Sequence, residues 1–167
     1  MRTLAIGYGN TLRGDDGAGQ AVAEAIAALS LPEVRVRSLH QLTPDLAADI
    51  AEVDRVFFID AILWGEEISP RVRIHGLTPQ EQNSSLGHYC EPRSLLAWSE
   101  LLYDRLPSAY WVLIPGLNFA FGETFSDVTQ GGIAVAIAAI HRFCLTEGEI
   151  CPSLSIPLNG GDRHSHS

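Results

Sequence analysis

The sequence predicts an α/β protein: a three-layer αβα sandwich around a mostly parallel, twisted sheet of about five strands, with one edge strand antiparallel. Three observations carry this expectation. Apolar runs of strand length alternate with stretches of helical period along the whole chain. The run Arg55-Val56-Phe57-Phe58-Ile59-Asp60-Ala61 is almost continuously apolar, as a strand covered on both faces must be. A glycine-rich turn follows the first strand and leads directly into a helical pattern.

Taken in order, Arg2 to Gly7 is the first strand. A helix from Ala18 to Leu29 places Val22, Ile26 and Leu29 on one face, with Pro32 just beyond its end. Val34 to Leu39 alternates apolar and charged residues, the mark of a strand with one solvated face. Thr43-Pro44-Asp45 opens a short helix with a cap followed by proline. After the apolar strand, Pro70 to Leu77 alternates again and is expected at a sheet edge. A polar loop, Thr78 to Gly87, ends in Gly87-His88-Tyr89-Cys90-Glu91-Pro92 and is followed by a helix from Arg93 to Asp104. Ser108 to Pro115 is a second buried strand. Asp127 to Cys144 is the last helix, with Ser126 as its cap. Residues 1–150 are expected to form one domain and residues 151–167, rich in Ser, Pro, Gly and His, a flexible tail.

At 167 residues the chain is long enough to bury a core, and 46% hydrophobic with 19% charged residues is ordinary globular composition. A formal net charge of −9 argues against a nucleic-acid or anionic-membrane partner. Cys90, Cys144 and Cys151 are odd in number and form no CxxC, which fits reduced thiols in the cytoplasm. No signal peptide precedes the first strand, and no apolar run approaches membrane-spanning length. A cytoplasmic monomer is the expectation.

The opening loop, Gly7-Tyr8-Gly9-Asn10-Thr11-Leu12-Arg13-Gly14-Asp15-Asp16-Gly17, invites a nucleotide reading and fails it. Leu12 stands where the third glycine of a dinucleotide fingerprint belongs, and Ser38-Leu39-His40 replaces the usual acidic residue after the second strand. Two carboxylates at a helix N-terminus would repel a pyrophosphate. One aspartate is enough to cap the helix. The other requires a different role, and gathering a cation is the natural one.

In an open α/β sheet, ligands bind outside the carboxyl ends of the strands. Asp16 follows the first strand, Asp60 ends the apolar one, and His88 lies in a loop expected on the same side. Alone, Asp60 fits a capped turn or an arginine partner equally well, and a lone loop histidine is ordinarily a surface residue. Together the three offer two carboxylates and an imidazole, a set suited to nickel or zinc with coordination positions left open. His75, His141, His164 and His166 are weaker candidates. Cys90, two residues from His88, is better read as a small packing residue than as a nucleophile. Neither HExxH nor Gly-x-Ser-x-Gly occurs.

The stretch Gly7 to Gly19 resembles the opening motif of the NiFe hydrogenase maturation endopeptidases. Phe58-Ile59-Asp60-Ala61 resembles their second acidic motif and Gly87-His88 their histidine loop. Ile114-Pro115-Gly116 with Gly122-Glu123-Thr124-Phe125-Ser126 resembles the segment before their final helix. The ordered set spans residues 2 to 145. The resemblance implies an endopeptidase that clips a C-terminal extension from the nickel-loaded precursor of a hydrogenase large subunit. It also implies that Asp16, Asp60 and His88 contact a nickel supplied by the substrate, with no organic cofactor. Asp16 and Asp60 are then the best catalytic candidates. This version is similar to members serving the cyanobacterial or bidirectional, NAD(P)-linked hydrogenases. Two departures stand out: Ser38-Leu39-His40-Gln41-Leu42-Thr43 replaces an Asp-Gly-Gly-Thr stretch, and Leu117-Asn118-Phe119 replaces Gly-Ile-Glu-Pro. A non-enzymatic nickel-sensing or metallochaperone-like domain is the alternative from another class.

Overall fold

A computed structural model of the chain describes residues 1–65, 69–80 and 90–158. Strands β1 (Thr3–Tyr8), β2 (Val34–Leu39), β3 (Arg55–Leu63), β4 (Arg71–Leu77), β5 (Ser108–Gly116) and β6 (Ser153–Pro157) form one sheet in the order β2-β1-β3-β5-β4-β6. β1, β2, β3 and β5 are parallel, β4 runs antiparallel to β5, and β6 runs antiparallel to β4. The near-continuous apolar run takes the central place expected of it: Val56, Phe57, Phe58 and Ile59 on β3 are fully buried.

Helices α1 (Ala18–Ala28), α2 (Leu46–Ala51), α3 (Pro92–Tyr103) and α4 (Asp127–Cys144) cover the two faces. Alternation along the strands divides the core accordingly. Phe57, Ile59, Val112 and Ile114 pack with Val22 and Ile26 of α1 and Ile140 and Phe143 of α4. Ile6, Val56 and Phe58 pack on the other face with Ile50 of α2 and Leu95 and Leu96 of α3. The result is the three-layer αβα sandwich that the pattern predicts. Helix α4 begins where its sequence signal places it, with the Ser126 hydroxyl accepting from the Thr129 amide at 3.3 Å. Among the described residues, no helix is long and apolar enough to cross a membrane.

One difference enlarges the sheet. The segment expected as a tail contributes β6, so that β4 lies between β5 and β6 and not at the edge. Leu154 and Ile156 are half-buried and alternate with exposed Ser153, Ser155 and Pro157. This short alternation is enough to seat a strand against an edge that would otherwise present open N–H and C=O groups. Residues 159–167 lie outside the described residues.

The first turn of α1 presses directly onto the sheet. A Cβ on Gly7 would collide with the Gly19 carbonyl oxygen, and one on Gly19 with the carbonyl oxygens of Ile59 and Tyr8. Glycine at both positions lets α1 start close above β1 and β3. That closeness brings the following side chains to the carboxyl end of the sheet.

Candidate functional site

The connection between β1 and α1 is a rigid turn. Gly9 has φ +140°, and a Cβ there would strike the Asp16 carbonyl oxygen. The Asn10 side chain accepts from the Leu12 amide at 2.9 Å, and the Asn10 amide donates to Asp16 Oδ2 at 2.7 Å. The chain then makes a 3-10 turn, Gly14–Gly17, before α1. Asp16 is left half-buried at the end of the sheet with its second carboxylate oxygen unengaged by the hydrogen bonds among the described residues.

Asp15 does not cap the helix, contrary to the expectation for one of the pair. It is fully buried. Its Oδ2 accepts from the Leu117 amide at 2.8 Å, the Asn118 amide at 2.9 Å and the Ser126 hydroxyl at 2.8 Å, while Oδ1 accepts from the Ser126 amide at 2.8 Å. Burial by itself would raise the pKa of this carboxyl. The amides of Asn118, Ser126 and Leu117 and the Ser126 hydroxyl outweigh burial and hold it below the ordinary value. Asp15 therefore clamps the loop between β5 and α4 against the glycine turn. Three backbone bonds reinforce the clamp: Gly14 N to Gly122 O at 2.7 Å, Gly122 N to Leu12 O at 2.8 Å, and Asp15 N to Asn118 O at 2.9 Å.

Asp60 projects from β3, one register step beyond the Gly7–Ile59 pair and thus beside Tyr8 of β1. Burial pushes its pKa up to about 6, and the negative charge of Asp16 adds to the shift. The Ala61 amide at 2.8 Å and the Tyr8 hydroxyl pull the other way. Burial and the Asp60 charge together raise the Tyr8 phenol, so it stays a protonated donor toward the carboxylate. The charge of Asp16 is felt at Asp60, which places the two carboxylates in one electrostatic neighbourhood.

The third expected ligand, His88, lies outside the described residues. Among the described residues, no three carboxylate, imidazole or thiol groups converge to hold a metal ion. Cys90 is half-buried, and its thiol is pushed up to about 11 by burial, with Asp45 and Glu91 contributing. That is a packing cysteine and not an activated nucleophile. A pyrophosphate approaching this end of the sheet would meet Asp16 and Asp60, so the rejection of a nucleotide role rests on both carboxylates.

Two supporting residues escaped the sequence reading. Gln20 on α1 donates to the Gly9 carbonyl at 2.7 Å and accepts from the Ser38 hydroxyl at 2.9 Å. The Ser38 departure at the end of β2 thus braces the glycine turn. Tyr8 is the other, and its position beside Asp60 follows from the parallel register alone. His40 and Gln41 are exposed.

No family model matches the chain, and no curated protein matches it in sequence. Solved structures do match its fold. HycI, a NiFe hydrogenase maturation protease from Thermococcus kodakarensis KOD1, is 21% identical with a TM-score of 0.67, over 87% of this chain and 93% of that one. HybD, a hydrogenase maturating endopeptidase from E. coli, is 17% identical with a TM-score of 0.68, over 94% and 98%. A hydrogenase 2 maturation peptidase from Thaumarchaeota archaeon SCGC_AB-539-E09 is 21% identical with a TM-score of 0.62, over 86% and 97%. At these identities the likeness speaks to architecture. With its six-stranded, mostly parallel sheet flanked by helices, the chain has the fold of solved NiFe hydrogenase maturation proteases.

Proposed function

We propose that the chain is an endopeptidase that removes a C-terminal extension from the nickel-loaded precursor of a NiFe hydrogenase large subunit. The observation that supports this reading is that Asp16, in the turn after β1, and Asp60, level with the end of β1 on β3, both stand toward the carboxyl end of a sheet whose fold is shared with solved maturation proteases. Asp16, Asp60 and His88 engage the nickel that arrives with the substrate. Two carboxylates and one imidazole make a poor closed cage, which suits a metal read in passing rather than kept. No organic cofactor is required. The protein works as a monomer in the cytosol, where it meets its precursor.

The pKa of Asp60 suits either of two roles near neutral pH. Ionised, it can approach the nickel as a ligand. It can equally take a proton from a water attacking the scissile carbonyl, since a base poised near the working pH is the efficient one. Asp15 has no such freedom, because both its oxygens are committed to the loop.

Incubation with purified nickel-loaded precursor, read by intact mass, tests the proposal. Loss of a C-terminal peptide supports the endopeptidase. A stable complex with no change in mass would instead support the nickel-sensing or metallochaperone-like domain.

A further inference from the structure

The two loops framing Asp16 hold apolar side chains out in solvent. The Gly122 amide donates to the Leu12 carbonyl and the Gly14 amide to the Gly122 carbonyl, a short parallel bridge that sets Leu12 beside Phe121. Phe121 is 86% exposed, Leu12 46% and Leu117 39%. Such residues on a soft loop would fold down to escape water. These loops are not free to do so, because the Asp15 carboxylate and the bridge hold their backbones in place. A preorganised apolar surface beside a reactive crevice loses little freedom when it is covered.

We propose that Leu12, Leu117 and Phe121 form a docking rim for the stretch of the protein substrate that flanks the bond delivered to Asp16 and Asp60. That stretch is apolar, with basic neighbours. The inference rests on the maturation-protease reading and adds to it the surface that selects the substrate chain. Two observations choose this occupant. The rim is continuous with the carboxylates, since the glycine turn that carries Leu12 also carries Asp16. Among the described residues of the two loops and the helix start that follows, the charge is acidic: Asp16, Glu123 and Asp127 stand against Arg13. A second copy of the chain fits less well, because it would close the crevice and bring together two molecules of net charge −9.

The test compares the wild-type protein with the double variant Phe121→Ser, Leu12→Ser on nickel-loaded precursor over a range of precursor concentrations. Both side chains are exposed, so the fold has little to lose. The expected result is a rise of about tenfold in KM, or in Kd measured by titration where binding occurs without cleavage. Leu101→Ser serves as the control. Leu101 is 80% exposed at the far end of α3, near the start of β5 and away from the carboxylates, and its loss should leave KM unchanged. An unchanged KM in the double variant, alongside normal wild-type processing, overturns the rim and leaves the protease reading standing. A wild-type protein that neither cleaves nor binds the precursor overturns both.

Discussion

Asp15 and Asp16 are chemically identical neighbours that the fold uses in opposite ways. Asp15 spends its whole charge on four donors, and Asp16 keeps an oxygen in reserve. Replacing Asp15 by Asn removes a charge that buried amides depend on, and should destabilise the protein by about 3 kcal/mol in denaturant titration. The folded pKa of Asp15 lies below its ordinary value of 3.8. Its stabilisation is therefore present above that value and is lost as pH falls through the folded one, so the gap between wild type and variant should close in acid. Asp60 has the reverse sign. Its pKa rises from 3.8 to about 6, so the stability tied to its protonated form is present below 3.8 and gone once pH passes about 6. Asp60→Asn should accordingly stabilise the protein by about 2–3 kcal/mol at neutral pH and by little in acid. The same variant should lose processing activity. In the wild type, kcat/KM, which reports the free enzyme, should fall as pH drops through about 6, whether Asp60 serves as ligand or base. A variant that is both more active and more stable would remove Asp60 from the site.

At the scale of elements, β6 protects β4, whose other edge is taken by β5. Truncation after Ile150 should expose the β4 amides, speed their hydrogen exchange and lower Tm by several degrees, on the order of 5 °C. Unchanged exchange across Arg71–Leu77 would mean that β6 adds nothing to the sheet. β6 also shows where the sequence stops being legible. Strands β1, β3 and β5 announce themselves by continuous apolar runs, and α4 by its Ser126 cap. Ser153–Pro157 carries only Leu154 and Ile156 as core-facing residues, between two serines and a proline, and its strand state comes from the edge it meets. The site divides in the same way. The sequence motif marks the aspartate pair, but adjacency in the chain cannot say which member is turned inward. That choice is made by a loop more than 100 residues away, through Leu117, Asn118 and Ser126. Tyr8 and Gln20 were illegible for the same reason, since their partners lie on other elements.

The whole molecule separates support from chemistry. The sheet and the α1–α4 layer hold β1 and β3 in register, the glycines bring α1 down upon them, and the clamped loops frame the carboxyl end. Two carboxylates and an apolar rim are gathered there on a chain of net charge −9. This arrangement suits a protein substrate that brings its own cation, because a metal would offset the negative charge that Asp16 imposes on Asp60. The most direct test sets nickel-loaded against nickel-free large-subunit precursor in parallel reactions with the wild-type protein, each followed by intact mass. The expected result is a C-terminally shortened product from the nickel-loaded precursor alone. Equal cleavage of the nickel-free precursor, or cleavage of neither, would contradict the claim that this site acts by reading the metal its substrate carries.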